Sequence, residues 1–562
     1  MNRKFGFRRV TRCALDSVVE AIPPNNVRRV TISDSMVLPR LRWTRCALVL
    51  AMFDCFGFAA IDMPVPTESG LVAGAGTDVK SFKGIPYAAP PVGDLRWRPP
   101  ERAARWQGIR ETARFGPVCM QDASVLRDPS APMSEDCLTL NIWTAARSAN
   151  DRLPVMVWIH GGGFRRGSSS QPQYDGEHLA RRGVVVVSFN YRLGIFGFLA
   201  HPLLSRESRN RVSGNYGVLD QIAALGWVQR NIGAFGGDPK RVTIFGESAG
   251  AFSVLLLNVS PLAAGLYERA ISESGGLRIP HLREAWHGEP SAESIGEKIA
   301  ANPVALRSRS AQQVLDLSIH RQPNDPSIFL GLVYRPVVDG YVFPQDPVMA
   351  YRKGRQHCAT LLAGTNADEG SLFTSALRVN SIAEFGNYLQ IQFGTPERIV
   401  DHLVETLSSN RADGLKGLLA RFIADEMFYW PTREALRGVA NGGGKAFRYQ
   451  FTRVNGEGRR GSGAFHGSEV PYVFGTMSVA PLGFGPLRPG TYDYGDVLLS
   501  NAMQNAWVSF ARTGDPSGGG IQSWPLYDSV RGCYEELGSE LRTGCGLRDE
   551  ELDLVSAAVP QP

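Results

Sequence analysis

The stretch RVTIFGESAGAFSVLLLN, residues 241–258, constrains this chain more than any other. A β-branched apolar run meets a run of helix-compatible residues with no linker, and the junction reads Gly246, Glu247, Ser248, Ala249, Gly250. A tight strand-to-helix turn joins two such pieces, and a G-x-S-x-G turn of that kind holds its central hydroxyl clear of the backbone. With 61 glycines in 562 residues, chance alone supplies about half a match to this pattern. Ser248 is therefore a candidate nucleophile only if the rest of the chain supplies the other parts.

The surroundings of the junction predict an α/β protein. PVMVWIH (154–160) and GVVVVSFNY (183–191) are short β-branched runs bounded by glycine and turn residues, and both read as buried strands. Residues 215–239 place Val218, Ile222, Leu225 and Val228 at helical spacing before a stop at FGGDP. Residues 241–247 then read as a strand and 248–258 as a helix. Further on, ATLLAGTNADEGSLF (359–373) is a strand running into an acidic loop, and KAFRYQFTR (445–453) reads as an alternating strand. No internal repeat or long low-complexity linker interrupts this order, so residues 61–562 are expected to form one catalytic domain with large insertions.

Residues 36–60, MVLPRLRWTRCALVLAMFDCFGFAA, run basic, then apolar, then small, which predicts a secretory signal peptide within an N-terminal extension of residues 1–60. The apolar run is too short for an ordinary membrane span, and none is expected in the mature chain. Its removal takes Cys13, Cys46 and Cys55 and leaves five cysteines, so at least one thiol is unpaired. Cys119 and Cys137 flank loop-like sequence, Cys533 and Cys545 are near in sequence and could pair, and Cys358 opens an apolar run. Such bridges require an oxidising compartment, so the protein is expected to be secreted or periplasmic. No C-x-x-C or His/Cys cluster has zinc-site spacing, and no metal is expected. The net charge of +6 comes without a long basic run after residue 60, so nothing favours nucleic acid as a partner.

A serine hydroxyl needs a base, an acid to orient that base, and donors for the oxyanion. HGGGF (160–164) directly follows a strand, and its glycines open backbone N–H groups to a substrate oxygen. Gly162, Gly163 and Ala249 together offer three donors. Downstream of Ser248, five histidines precede His466: His281, His287, His320, His357 and His402. His466 lies in a glycine-containing loop after a strand, whereas His402 sits in a helix-like stretch. For the acid, Asp368 and Glu369 both follow a strand, and spacing does not choose between them.

From about residue 66 to 530 the chain resembles the type-B carboxylesterases, the family that includes cholinesterases and bacterial para-nitrobenzyl esterases. The matching motifs occur in order: FKGIPYAAPPVGDLRWRPP (82–100), SEDCLTLNIW (134–143), HGGGF, NYRLGIFGFL (190–199), GNYGVLDQIAAL (214–225), NIGAFGGDPKRVTIFGESAG (231–250), AISESG (270–275), DEGSLF, HGSEVPYVFG and FARTGDPS. The resemblance implies an α/β-hydrolase fold, with a central, mostly parallel twisted sheet flanked by helices. It implies a serine carboxylesterase that splits small carboxylic esters into acid and alcohol through an acyl-enzyme, without a cofactor. The family's nucleophile falls on Ser248, its acid on Glu369, its base on His466 and its oxyanion donors on Gly162, Gly163 and Ala249. Ser274 matches a serine that supports the histidine and acid, Glu247 a buried acid beside the nucleophile, and Cys119 with Cys137 the family's first disulfide. The alternatives are a catalytically silent binding or adhesion protein, or an amidase or lipase with the same triad. Phe428, Tyr429 and Trp430 are candidates for a pocket wall or for core. The physiological ester and the oligomeric state are not legible.

Overall fold

The computed structural model describes residues 61, 63–122, 132–286, 288–320, 332–377, 379–393, 395–408, 414–456, 461–478 and 491–558. The expected N-terminal extension of residues 1–60, with its signal peptide, therefore lies outside the described residues. Ten strands build the main sheet: β1 (Lys80–Pro86), β2 (Thr139–Thr144), β3 (Leu153–Ile159), β4 (Val185–Phe189), β5 (Gly237–Glu247), β6 (Arg269–Glu273), β7 (Thr360–Asn366), β8 (Lys445–Phe451), β9 (Tyr534–Leu537) and β10 (Leu541–Gly544). Their spatial order is β10-β9-β8-β7-β6-β5-β3-β4-β2-β1. The pairs from β4 through β9 are parallel, and antiparallel pairing is confined to the two ends.

Strands buried on both faces explain the continuous apolar runs, because a parallel sheet carries helices on each side. Along β3, Val155, Val157 and Ile159 join one core cluster while Met156 and Trp158 join another, the two-residue alternation of a pleated strand. Helix α2 (Ala249–Leu257) packs its Val254, Leu255 and Leu256 into the first cluster. Helix α3 (Tyr494–Thr513) brings Met503, Trp507 and Phe510 to the second. Each such side chain, fully withdrawn from water, contributes about 1.5–3 kcal/mol, so the sheet is fixed between two apolar layers.

Two boundaries differ from the sequence reading. The helix expected over 215–239 is α1 (Tyr216–Asn231), followed by a single tight turn, Ile232–Phe235. Gly236 then takes φ 78° and caps that turn, so the chain already pairs with β3 at Gly237, with an irregularity in register before Val242. Strand β8 does not alternate: five of its seven residues are buried, and they include Arg448 and Tyr449 in succession. Ala446 packs into the first apolar cluster and Phe447, Tyr449 and Phe451 into the second, so both faces of β8 are covered.

Register aligns the carboxyl ends of the central strands. Glu247 of β5 pairs with Glu273 of β6, and Glu273 pairs with Gly364 of β7. Chain order reverses beside β3, whose neighbours are β4 on one side and β5 on the other. Ligands in open α/β sheets bind outside the carboxyl ends at such a reversal, and the loops leaving β3 and β5 meet there.

Candidate active site

Ser248 follows β5 directly and takes φ 55° and ψ −125°. A non-glycine residue at positive φ costs of order 1–3 kcal/mol, and two hydrogen bonds hold it. The Ser248 N–H donates to the Glu273 carbonyl at 3.0 Å, and the Phe252 N–H donates to the Ser248 carbonyl at 2.8 Å. Glycine two residues on is a matter of space. A Cβ on Gly250 would lie 1.9 Å from the Ile159 carbonyl oxygen, because α2 starts against the end of β3.

The loop leaving β3 carries two of the candidate donors, Gly162 and Gly163. Gly162 has φ 113°, and a Cβ there would meet the Arg166 carbonyl oxygen at 2.1 Å. Its own carbonyl accepts from the N–H groups of Arg165 and Arg166, which curls the loop so that its early N–H groups stay unused. Among the described residues, no acceptor pairs with the N–H groups of Gly162, Gly163 or Ala249, and the three residues line one cavity with Ser248. At the first helical position the Ala249 N–H has no intrahelical partner. His160, at the start of the loop, is buried and stacks on Tyr191 at 4.5 Å between ring centroids. Burial lowers its pKa to about 4, so it stays neutral and holds the loop through contact with the Gly161 carbonyl at 2.9 Å.

Of the adjacent acids that spacing left open, Glu369 lies against His466 and Asp368 does not. Glu369 is fully buried and meets His466 Nδ1 at 2.6 Å. Its other oxygen accepts from the Ser274 hydroxyl at 2.5 Å and from the Asn366 N–H at 2.7 Å. Asp368 instead ties down the loop that carries the histidine, since its carboxylate accepts from the Ala464 N–H at 2.9 Å. Ser274 leaves β6 in register with Ser248 and also has positive φ, 61°. Its N–H donates to the Gly364 carbonyl at 2.9 Å.

Glu247 Oε1 lies 3.1 Å from His466 Nε2. Burial works against a charged imidazole here, but the Glu247 and Glu369 carboxylates outweigh it and raise the His466 pKa to about 9. Burial likewise raises the Glu247 pKa, to about 7, against the attraction of His466. The rings of Phe428 and Phe373 flank the imidazole at 4.7 and 5.1 Å. His402, by contrast, is exposed on a helix, Glu397–Ser408.

A buried polar network behind these residues escaped the sequence reading. Asn366 donates its backbone N–H to Glu369 and its side-chain amide to the Phe465 carbonyl and to Glu469. Glu469 and Glu273 are fully buried carboxyls, the first raised to about 8 by burial and then by Glu247 and Glu369. Trp507 donates to Glu273 at 2.7 Å. The available signal was an acid inside or beside an otherwise buried run, in AISESG and in HGSEV.

The cavity has a volume of about 440 Å³, within the range of small-molecule sites. Of the three candidate aromatics, Phe428 lines it, Tyr429 donates its hydroxyl to the Asn366 carbonyl, and Trp430 is core. Among the described residues no group of three or more His, Cys, Asp or Glu side chains could hold a metal ion. Cys119–Cys137 and Cys533–Cys545 are both bridged, and Cys358 is a buried free thiol. Among the described residues no helix is long and apolar enough to cross a membrane.

The family model described as "Carboxylesterase family" matches residues 62–555. The chain is 41% identical over 522 residues to a fumonisin B1 esterase from Sphingopyxis macrogoltabida, covering 91% of this chain and 94% of that protein. It is 35% identical to a para-nitrobenzyl esterase from Bacillus subtilis over 82% of this chain and 92% of the relative. A solved para-nitrobenzyl esterase superposes with a TM-score of 0.76 at 32% identity, covering 87% of this chain and 99% of its own. A carboxylesterase from Geobacillus stearothermophilus gives 0.75 at 33% identity, with the same coverage.

Proposed function

The chain belongs to the carboxylesterase family, has its α/β-hydrolase fold and is a carboxylic ester hydrolase, and from that premise we propose that it acts through a Ser248–His466–Glu369 triad and an acyl-enzyme. The contact of His466 Nδ1 with Glu369 at 2.6 Å, in the cavity that Ser248 lines, carries this reading. Ser248 Oγ attacks the ester carbonyl carbon as His466 Nε2 takes the hydroxyl proton. The N–H groups of Gly162, Gly163 and Ala249 receive the oxyanion, a contribution of about 2.7–4 kcal/mol per donor where one has been removed. Collapse expels the alcohol, protonated by His466. Water then attacks the acyl carbon with His466 again as base, and Ser248 regains its proton as the acid leaves. Glu369 keeps the imidazole oriented and offsets its charge, and Ser274 and Asn366 hold Glu369 in place.

Small esters fit the cavity volume. The relative named for fumonisin B1 makes that compound a natural ester to try on this chain. Secretion or periplasmic export fits the two disulfides, and N-terminal sequencing of the mature protein tests cleavage near residue 60. The chemistry is tested with para-nitrophenyl acetate and a fluorophosphonate label. A burst equal to the enzyme concentration and a label on Ser248, both absent in Ser248→Ala, are expected. Burst and label retained in that variant would defeat the proposal.

A further inference from the structure

One wall of the cavity is cationic. Arg165, Arg166, Arg278 and Arg335 all line it, while Phe252, Leu372, Phe373, Met427 and Phe428 form an apolar wall. Two of the arginines are neutralised by buried acids: Arg278 by Glu426 at 3.1 Å, and Arg335 by Glu289. The other two are not. Among the described residues neither Arg165 nor Arg166 has an ion-pair partner, and neither guanidinium has a hydrogen-bond acceptor. Glu247 feels the Arg166 charge, but its Oε1 is engaged with His466. Both arginines follow the glycine loop directly, and a Cβ on Gly162 would stand 3.0 Å from Arg166 Cγ. Both side chains are exposed to solvent where they line the cavity, so the surplus positive charge stands near the oxyanion donors and open to an incoming ligand.

We propose that the ester this site takes carries a free carboxylate, held by Arg165 and Arg166, beside an apolar moiety that fills the Phe428 side. The acids that line the cavity, Glu247 and Glu426, face His466 and Arg278, so the two adjacent cations repel each other, and a bound carboxylate relieves that cost while a neutral ester does not. Guanidinium suits the task because its fork donates two parallel hydrogen bonds to one carboxylate. The same charge draws anionic esters toward the mouth, an effect that salt weakens. This substrate class rests on the serine chemistry proposed above.

The test compares matched esters that differ only in charge. On the acyl side, mono-para-nitrophenyl glutarate is set against its methyl ester; on the alcohol side, para-acetoxybenzoate is set against methyl para-acetoxybenzoate. In at least one pair the free acid is expected to have a kcat/KM about tenfold or more above its methyl ester at low salt, with the ratio falling as salt rises. The double variant Arg165→Gln/Arg166→Gln is expected to bring that ratio near one, and Arg165→Lys/Arg166→Lys to retain part of it. The ratio is the readout, so a general loss of turnover does not imitate the effect. If the double variant does not fold, the single variants and the salt titration of the unaltered protein decide. Ratios at or below one in both pairs, or a preference that the glutamine variant keeps, would overturn the inference while leaving the esterase chemistry intact. Absence of turnover on all four esters, with Ser248 unlabelled, would defeat the serine chemistry and this inference with it.

Discussion

Replacing Glu247 by glutamine should move the pH dependence of the enzyme without changing its shape class. In the proposed mechanism His466 must be neutral to take the serine proton, and its pKa is raised to about 9. A raised histidine pKa keeps the imidazolium populated below that value, so kcat/KM should climb with pH through the alkaline range. At pH 9 Glu247, with a pKa of about 7, is ionised and its charge acts in full on the imidazole 3.1 Å away. At an effective dielectric near 20 that separation is worth about 5 kcal/mol, or a ceiling of about four pH units at 1.36 kcal/mol each. Water at the cavity mouth reduces this, and Glu369 remains in place. The expected result is a limb displaced to lower pH by at least about one unit in Glu247→Gln. The assay is kcat/KM between pH 5 and 10 (about that span brackets both groups) on a neutral para-nitrophenyl ester, at constant ionic strength and with spontaneous hydrolysis subtracted. The plateau need not be preserved, because the limb's position is the measurement. A limb at the same or a higher pH would refute the view that Glu247 sets the basicity of His466.

Other consequences are as direct. Ser274→Ala removes the 2.5 Å hydrogen bond to Glu369, and kcat should fall about tenfold, as expected for a bond to a charged group; an unchanged kcat would assign that contact no role in turnover. Gly250→Ala drives a methyl group to 1.9 Å from the Ile159 carbonyl oxygen, and denaturant unfolding should show a loss of about 3 kcal/mol, whereas unaltered stability would mean that α2 shifts freely. Replacing Cys119 and Cys137 together by serine reopens a loop with a separation of 18 residues, which should cost about 3 kcal/mol in the chain-entropy account; an identical unfolding midpoint would contradict it.

What the sequence made legible followed from local rules with strong physical content. The strand, elbow and helix around Ser248 could be read because two periodicities meet there without a linker, although the helix begins at Ala249, just after the Ser248 start read from the sequence. His466 could be separated from His402 because a loop after a strand can face a site and a helix surface need not. Asp368 and Glu369 could not be separated, since adjacent residues leaving a strand differ only in rotation, and the decisive groups, Ser274 and Asn366, come from β6 and β7. Phe428, Tyr429 and Trp430 looked equivalent as a run, but a wide turn at Asp425–Tyr429 spreads them among cavity, hydrogen bond and core. Arg165 and Arg166 were passed over as scattered charge. Their meaning depends on which cavity they line and on the lack of an ion-paired acid among the described residues, and neither property has a sequence period.

The arrangement also separates two kinds of change that most proteins must make together. Ser248, Ser274 and Glu369 leave three adjacent strands whose register is fixed by backbone hydrogen bonds, whereas Arg278, Arg335, Leu372 and Phe428 lie on the segments between strands. Those intervening segments can be exchanged or lengthened with little effect on the distances among the reacting groups. A designer who wanted a different ester could therefore transplant the connecting segments and leave the ladder untouched, treating the sheet as a fixed workbench and the loops as interchangeable jaws.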